Sequence, residues 1–183
     1  MLKCIRVLAG TALVVLAAAP AFATTAIRLS NEAMAATADV IAIGTAIDVH
    51  SAWEGRTLVT VVTVKVNESL KGDAGSTLSI ALPGGIDANR RFPVAVTYAG
   101  APTIEIGEEV FVFLTRDDEI MSGLTVVGFA QGKFSIVTDA TGTRFVSRDL
   151  TSLSLESGAG VTSGTRSLAS LDEFRAEIAA YVR

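Results

Sequence analysis

The chain has 183 residues, with 15 basic against 19 acidic side chains, one histidine and one cysteine. No basic block occurs in it, so a nucleic-acid partner has no electrostatic footprint and anionic lipid finds nothing to hold. The single cysteine, Cys4, lies at the extreme N-terminus, which leaves the rest without thiol catalysis, thiolate metal ligation or disulfides.

Residues 1–23 read as a secretory signal peptide. Lys3 and Arg6 supply a basic start, Val7–Ala19 an apolar run, and Ala21-Phe22-Ala23 the small residues of a cleavage site after Ala23. The run is shorter than the roughly 20 apolar residues of a spanning helix. Cys4 precedes it, whereas a lipid-modified cysteine would follow it. Removing Lys3 and Arg6 from the 15 basic side chains leaves 13 against 19 acidic ones, a net charge of −6. The expected location is the bacterial periplasm or the medium, with no stable membrane span after cleavage.

From Thr24 onward the expected elements run as follows. Ala26–Ala38 holds a short helix, with Ser30 as cap and Glu32 in the first turn. Asp39–His50 and Arg56–Glu68 alternate apolar with small or polar residues and are dense in Val, Ile and Thr, which predicts two long strands joined by Ser51–Gly55. On the first strand Ile41, Ile43, Ile47 and Val49 are expected to face the core. The small face, Ala42, Gly44 and Ala46, is expected to receive a terminal helix.

Leu70–Gly75 is a turn, and Thr77–Leu82 a third strand broken by Pro83-Gly84-Gly85. The next stretch, to about Thr103, reads as a long irregular loop with one short strand at Val94–Tyr98. Glu109–Thr115, apolar on both faces, is a strand covered on both sides. Arg116–Glu119 is a charged turn. Leu124–Gly128 and Gly132–Thr138 are further strands, and Thr143–Arg148 pairs back across the turn at Asp139–Gly142. Residues 150–167 read as a Ser/Thr/Gly linker. In 168–183, Ser170 and Glu173 form a capping-box pattern ahead of the stripe Leu171, Phe174, Ile178, Tyr181 and Val182, a helix expected to pack on the barrel.

The predicted fold is mainly β (α+β): an OB-like antiparallel barrel of about six to eight strands over 24–149, with a short N-terminal helix and a C-terminal amphipathic helix. The order of parts carries a resemblance: a short helix, the strand Ala38–Thr45, a long Val/Thr strand, Leu70-Lys71-Gly72, a further strand, a Gly-Gly loop and a closing helix. It resembles exported bacterial OB-type barrel domains of uncharacterised function and, more distantly, the netrin-like modules that include the tissue inhibitors of metalloproteinases. Those inhibitors bind zinc through an N-terminal cysteine and are laced by disulfides. A chain without cysteine beyond Cys4 lacks both, so that mechanism does not transfer.

Candidate chemistry is sparse. Arg90 and Arg91 follow a glycine loop and offer guanidinium donors for a carboxylate or phosphate, and Trp53, Phe92 and Tyr98 offer stacking faces. Trp53, Arg90, Arg91 and Tyr98 are therefore the candidate ligand-binding residues, in the barrel mouth. His50 and Asp48 project from one strand face and are the metal candidates, although two donors make a poor site. No Gly-x-Ser-x-Gly elbow supports a serine hydrolase. Glu108 and Glu109 are adjacent on a strand and point to opposite faces, so they are no acid/base couple. Asp117–Glu119 lacks the spacing of a calcium loop.

With no convergent catalytic set, the expected function is a non-catalytic binding or protein-interaction module of the bacterial cell envelope, without a cofactor. Its expected partner is an envelope protein or a small ligand, not nucleic acid. Two alternatives stand beside it: a small-ligand or oligosaccharide site in the barrel mouth, and a hydrolase or metal enzyme using His50.

Overall fold

A computed structural model describes residues 24–117 and 123–182. The expected signal segment, Asp118 and Glu119 lie outside the described residues. Of those described, 55% are strand and 12% helical, so the fold is mainly β. The strands are β1 (Thr24–Ile27), β2 (Val40–Glu54), β3 (Thr57–Lys71), β4 (Thr77–Pro83), β5 (Gly85–Asp87), β6 (Val94–Val96), β7 (Glu109–Arg116), β8 (Leu124–Val126), β9 (Lys133–Thr138), β10 (Arg144–Asp149), β11 (Leu153–Ser157), β12 (Gly160–Ser163) and β13 (Arg166–Ser170). The helices are α1 (Asn31–Thr37) and α2 (Leu171–Tyr181).

The main sheet runs β13-β10-β9-β7-β2-β3-β4-β8, and a further pairing of β7 with β8 closes part of it into a ring. The ring is β2-β3-β4-β8-β7. Taken in chain order its strands are first, second, third, fifth and fourth, a small barrel with one parallel contact, Ala81 with Thr125. β7 makes this closure. Its N-terminal half pairs with β9 and its C-terminal half with β8, on the same edge. The fork sits at Phe113, whose N–H bonds Gly132 and whose carbonyl accepts from Val127.

The two faces of β7 serve two cores. Val110, Val112 and Leu114 join Val62, Val64, Ile80 and Leu82 inside the barrel. Phe111 and Phe113 join Phe134 and Phe174 outside it, ring centroids 4.7–6.5 Å apart, under α1 and α2. Ser30 Oγ accepts from Ala33 N at 3.1 Å and starts α1. Lys71 Nζ donates to the carbonyls of Ala35 and Ala36, and so covers its last turn.

Four expectations fail in this structure. The helices do not lie on the small face of β2. Met34, Phe174 and Ile178 pack against Ile41 and Ile43, while Ala42 and Ala46 point into the barrel. A ring of five strands leaves little interior room, and small residues on one strand make space for Val and Ile on the others. Gly44 is tighter still, because a Cβ there would stand 2.5 Å from Val64 Cγ1 and from Lys65 O. Nor does the alternation of β2 run unbroken. A register shift between Ala46 and Asp48 leaves Ile47 half exposed and returns Val49 to the barrel core.

Residues 150–167 are not a free linker. Leu153 and Leu155 are buried, and β11 pairs in parallel with β1 and antiparallel with β12. Alternation of Leu with Ser outweighs the Ser/Gly content. Finally, Ser170 makes no side-chain cap to α2, although Leu171, Phe174 and Ile178 are buried as the stripe requires.

Removing the ring that joins α2 to the sheet should therefore cost more than any change on the displaced part of β2. Phe174→Ala is expected to lower unfolding free energy by about 3–5 kcal/mol. Ile47→Ser should stay within about 0.5 kcal/mol of the parent. Urea denaturation followed by circular dichroism measures both, and equal losses would refute the two-core arrangement.

Candidate functional site

The open tip of the β2–β3 hairpin carries the first group of candidates. A short hairpin, β5–β6, is laid against it. Ile86 N donates to Ser51 Oγ at 2.9 Å, and Thr60 Oγ1 donates to the Gly84 carbonyl at 2.8 Å. Gly85 allows this approach, since a Cβ there would meet Ser51 Oγ at 2.8 Å. The stretch expected to be a long irregular loop with one short strand at Val94–Tyr98 does hold a strand there, β6, and pairs it with β5 as a ribbon fastened to the long hairpin.

On that ribbon Asp87 organises the site. Its Oδ2 accepts from Trp53 Nε1 at 2.7 Å and from Arg90 Nε at 2.9 Å, and its Oδ1 accepts from Asn89 N. The Trp53 N–H, with the Asn89 and Arg90 donors, holds the Asp87 carboxyl below its usual range despite some desolvation. Arg90 stacks its guanidinium 4.5 Å from the Trp53 ring centroid.

The candidates are therefore divided by the structure. Arg90 and Trp53 are joined to each other through Asp87, and Arg90 covers the indole face that a sugar would use. Arg91 instead lies over the Phe92 ring, 5.6 Å from its centroid. Phe92 is 75% exposed and Ile86 66%. Tyr98 stands apart from this cluster over Gly84, beside a groove of about 300 Å³ between 83–86 and 95–104. Asp87 was not singled out from the sequence. The signal for it was the spacing Asp87-x-Asn89-Arg90, a turn in which an aspartate accepts from the backbone two residues on.

His50 Nδ1 lies 2.7 Å from Asp48 Oδ2, and both side chains are more than half exposed. Among the described residues, no group of three or more His, Cys, Asp or Glu side chains converges in a way that could hold a metal.

A third cluster escaped the sequence altogether. Lys133 Nζ donates to Glu108 Oε1 at 2.6 Å and to Ser135 Oγ at 2.8 Å, and Ser135 Oγ donates to the same Glu108 oxygen at 2.6 Å. The triangle borders a cavity of about 420 Å³ walled by 100–103 and 147–153. A serine beside a lysine invites comparison with a nucleophile and its base. Here the proton ledger runs otherwise. The serine proton goes to the carboxylate, and the lysine donates to both neighbours as an ammonium, which has no lone pair to accept a proton. Desolvation pushes the Glu108 carboxyl up, but the bonds from Lys133, Ser135 and Glu105 N outweigh it, and the net shift is downward. This is a structural ion pair that ties the start of β7 to β9. Glu109 points to the opposite face, where it meets Arg144 at 2.6 Å and Asn67.

Among the described residues, no helix is long and apolar enough to cross a membrane. Comparison with known proteins finds no matching family model, no matching curated protein and no matching solved structure.

The Glu108 triangle has a pH signature. A folded-state value below the ordinary 4.5 means that ionised Glu108 stabilises the fold above that pH, and that this contribution is lost as pH falls through the lowered value. Glu108→Gln should cost about 1–3 kcal/mol at pH 7, because it removes a charged acceptor from a half-buried lysine. The gap between variant and parent in urea unfolding should narrow steadily below pH 4.5. A gap that is constant with pH would remove the ion pair from the account.

Proposed function

We propose that the chain is a non-catalytic binding module of the bacterial cell envelope, that its partner is a protein, and that contact is made through Ile86, Arg91 and Phe92 around the joined Trp53 and Arg90. One observation carries this reading: two large apolar side chains stand exposed on a ribbon that is hydrogen-bonded to a rigid hairpin tip. Interfaces draw most of their binding energy from a few aromatic and arginine side chains, and Trp53, Arg90, Arg91 and Phe92 are of that kind. The Asp87 bonds hold Trp53 and Arg90 in place before any partner arrives, which reduces the ordering cost of association.

The charge indicates the partner's chemistry. Arg90 has its carboxylate in Asp87. Among the described residues Arg91 makes no ion pair, and its guanidinium lies over Phe92. A partner segment with an apolar residue next to an aspartate or glutamate would fill both. The oligosaccharide reading is less well supported, because Arg90 occupies the stacking face of Trp53. The enzyme reading is weaker again, with His50 paired only to an exposed aspartate. The envelope location rests on the pattern of residues 1–23.

A photo-crosslinking residue placed at Phe92 in the producing cell should yield one adduct of defined mass, and Arg91→Glu should reduce it several-fold. The same residue at Leu168, exposed on β13, should yield none. No adduct at position 92, or the same adducts at both positions, would overturn the interaction surface. Release on permeabilising the outer membrane of a chain beginning at Thr24 checks the location, and a full-length cytoplasmic chain would overturn it.

A further inference from the structure

Among the arginines of the outer sheet, the fold places one cation that it does not neutralise. Arg148, on β10, runs its side chain into the outer core. Its Nη1 donates to the Gln131 carbonyl at 3.0 Å and lies 4.0 Å from Met34 Sδ, and its guanidinium carbon stands 4.7 Å from the Phe134 ring centroid. Its Nε is fully buried and has no acceptor. Among the described residues no carboxylate comes within ion-pairing distance, whereas Arg90, Arg144, Arg166 and Arg175 each have one.

A half-buried guanidinium with one neutral acceptor is costly, since burial penalises a charge unless it is paired. Burial first, and the charge of Arg28 second, push the Arg148 guanidinium below its ordinary value. Arg28 is thus close enough to add to the positive field, and it spends one nitrogen on Thr162 Oγ1.

Both arginines border a cavity of about 540 Å³ between α1, α2, β10 and β13, within the range of small-ligand sites. Buried Leu150 and Leu155 contribute an apolar wall, and Thr165 and Ser167 contribute hydroxyls. Glu32 and Glu177 also border it. Glu177 is engaged by Asn31 Nδ2 at 3.1 Å and Tyr181 OH at 3.3 Å, and neither carboxylate pairs with either arginine.

We propose that this cavity binds a small organic monocarboxylate, with Arg148 as its charge partner, Arg28 as the second cation and the leucine wall against the ligand's carbon chain. A planar guanidinium matches a carboxylate in shape and charge. The two glutamates on the wall select against a second negative charge, because like charges in a confined site repel. The apolar wall favours a ligand with a carbon body over a bare inorganic anion. This site is separate from the protein-contact surface and does not depend on it.

Butyrate titrated into the full chain, with chloride balancing ionic strength, should move amide resonances of β10, β13 and α2 in a saturable way. Succinate and inorganic phosphate should bind at least about tenfold more weakly. Arg148→Gln should weaken butyrate about tenfold or more, and Arg56→Gln, on the exposed β2–β3 turn, should leave it unchanged. Should Arg148→Gln fail to fold, Ser167→Phe serves instead. It projects bulk into the cavity from an exposed edge strand and should abolish the titration. A parent chain with no saturable shift, or equal affinity in Ser167→Phe, overturns the site. Tighter binding of phosphate than of butyrate overturns the choice of a carboxylate.

Discussion

Burial of both faces of β7 is the constraint on which the rest of this structure depends. A strand apolar on each side needs two separate covers. The barrel interior supplies one and the helices supply the other. Because Val110, Val112 and Leu114 alternate with Phe111 and Phe113, a shift of one residue in the β2–β7 register would exchange aromatic rings for valines in a closed interior that has no room for them. The fork at Phe113 follows from the same strand. One edge must serve the barrel through β8 and the outer sheet through β9, so the chain between them turns sharply. Gln131, almost wholly buried, ties that turn to Ile27, Leu29 and Gly128.

Much of this was legible in the residues. The unbroken apolar run of β7 signalled two covers, and the density of Val and Thr in β2 and β3 signalled a long hairpin. The orientation of β2 was not legible. Period-two alternation says that two faces differ, but not which one meets a narrow interior. The usual rule, large residues inward, fails for a five-stranded ring, where Ala42 and Ala46 must be small. A one-residue bulge is likewise silent in sequence, so Ile47 reads as core until the register is seen. The segment 150–167 reads as a linker because its Ser, Thr and Gly content hides the alternation of Leu153 and Leu155.

The candidate site divides in the same way. Trp53, Arg90, Arg91 and Tyr98 could be named from the sequence as aromatic and basic residues near a glycine loop. Their division into a pair joined through Asp87, an arginine laid over Phe92 and a distant tyrosine could not, because it depends on which side chains the folded ribbon brings to Asp87. The Glu108–Lys133–Ser135 triangle and the unpaired Arg148 gave no signal at all. Both arise from strands far apart in the chain that only the sheet order brings side by side. Chemistry carried on neighbouring strands stays invisible to short-range spacing, whereas chemistry within one turn does not.

The parallel pairing of β1 with β11 constrains the order of events during synthesis. The earliest described strand has no sheet to join until a segment near the other end of the chain exists, and loop closure on that scale slows formation. Gln131 must also wait, its carboxamide facing the places that Ile27 and Leu29 later fill. The barrel ring, by contrast, is complete once β8 has been made. Maturation should therefore proceed in two stages. A ring forms first with its outer aromatic surface still bare, and the two ends of the chain then arrive together to cover it. Whatever holds the nascent protein in that interval meets Phe111, Phe113 and Phe134, the surface most liable to aggregate.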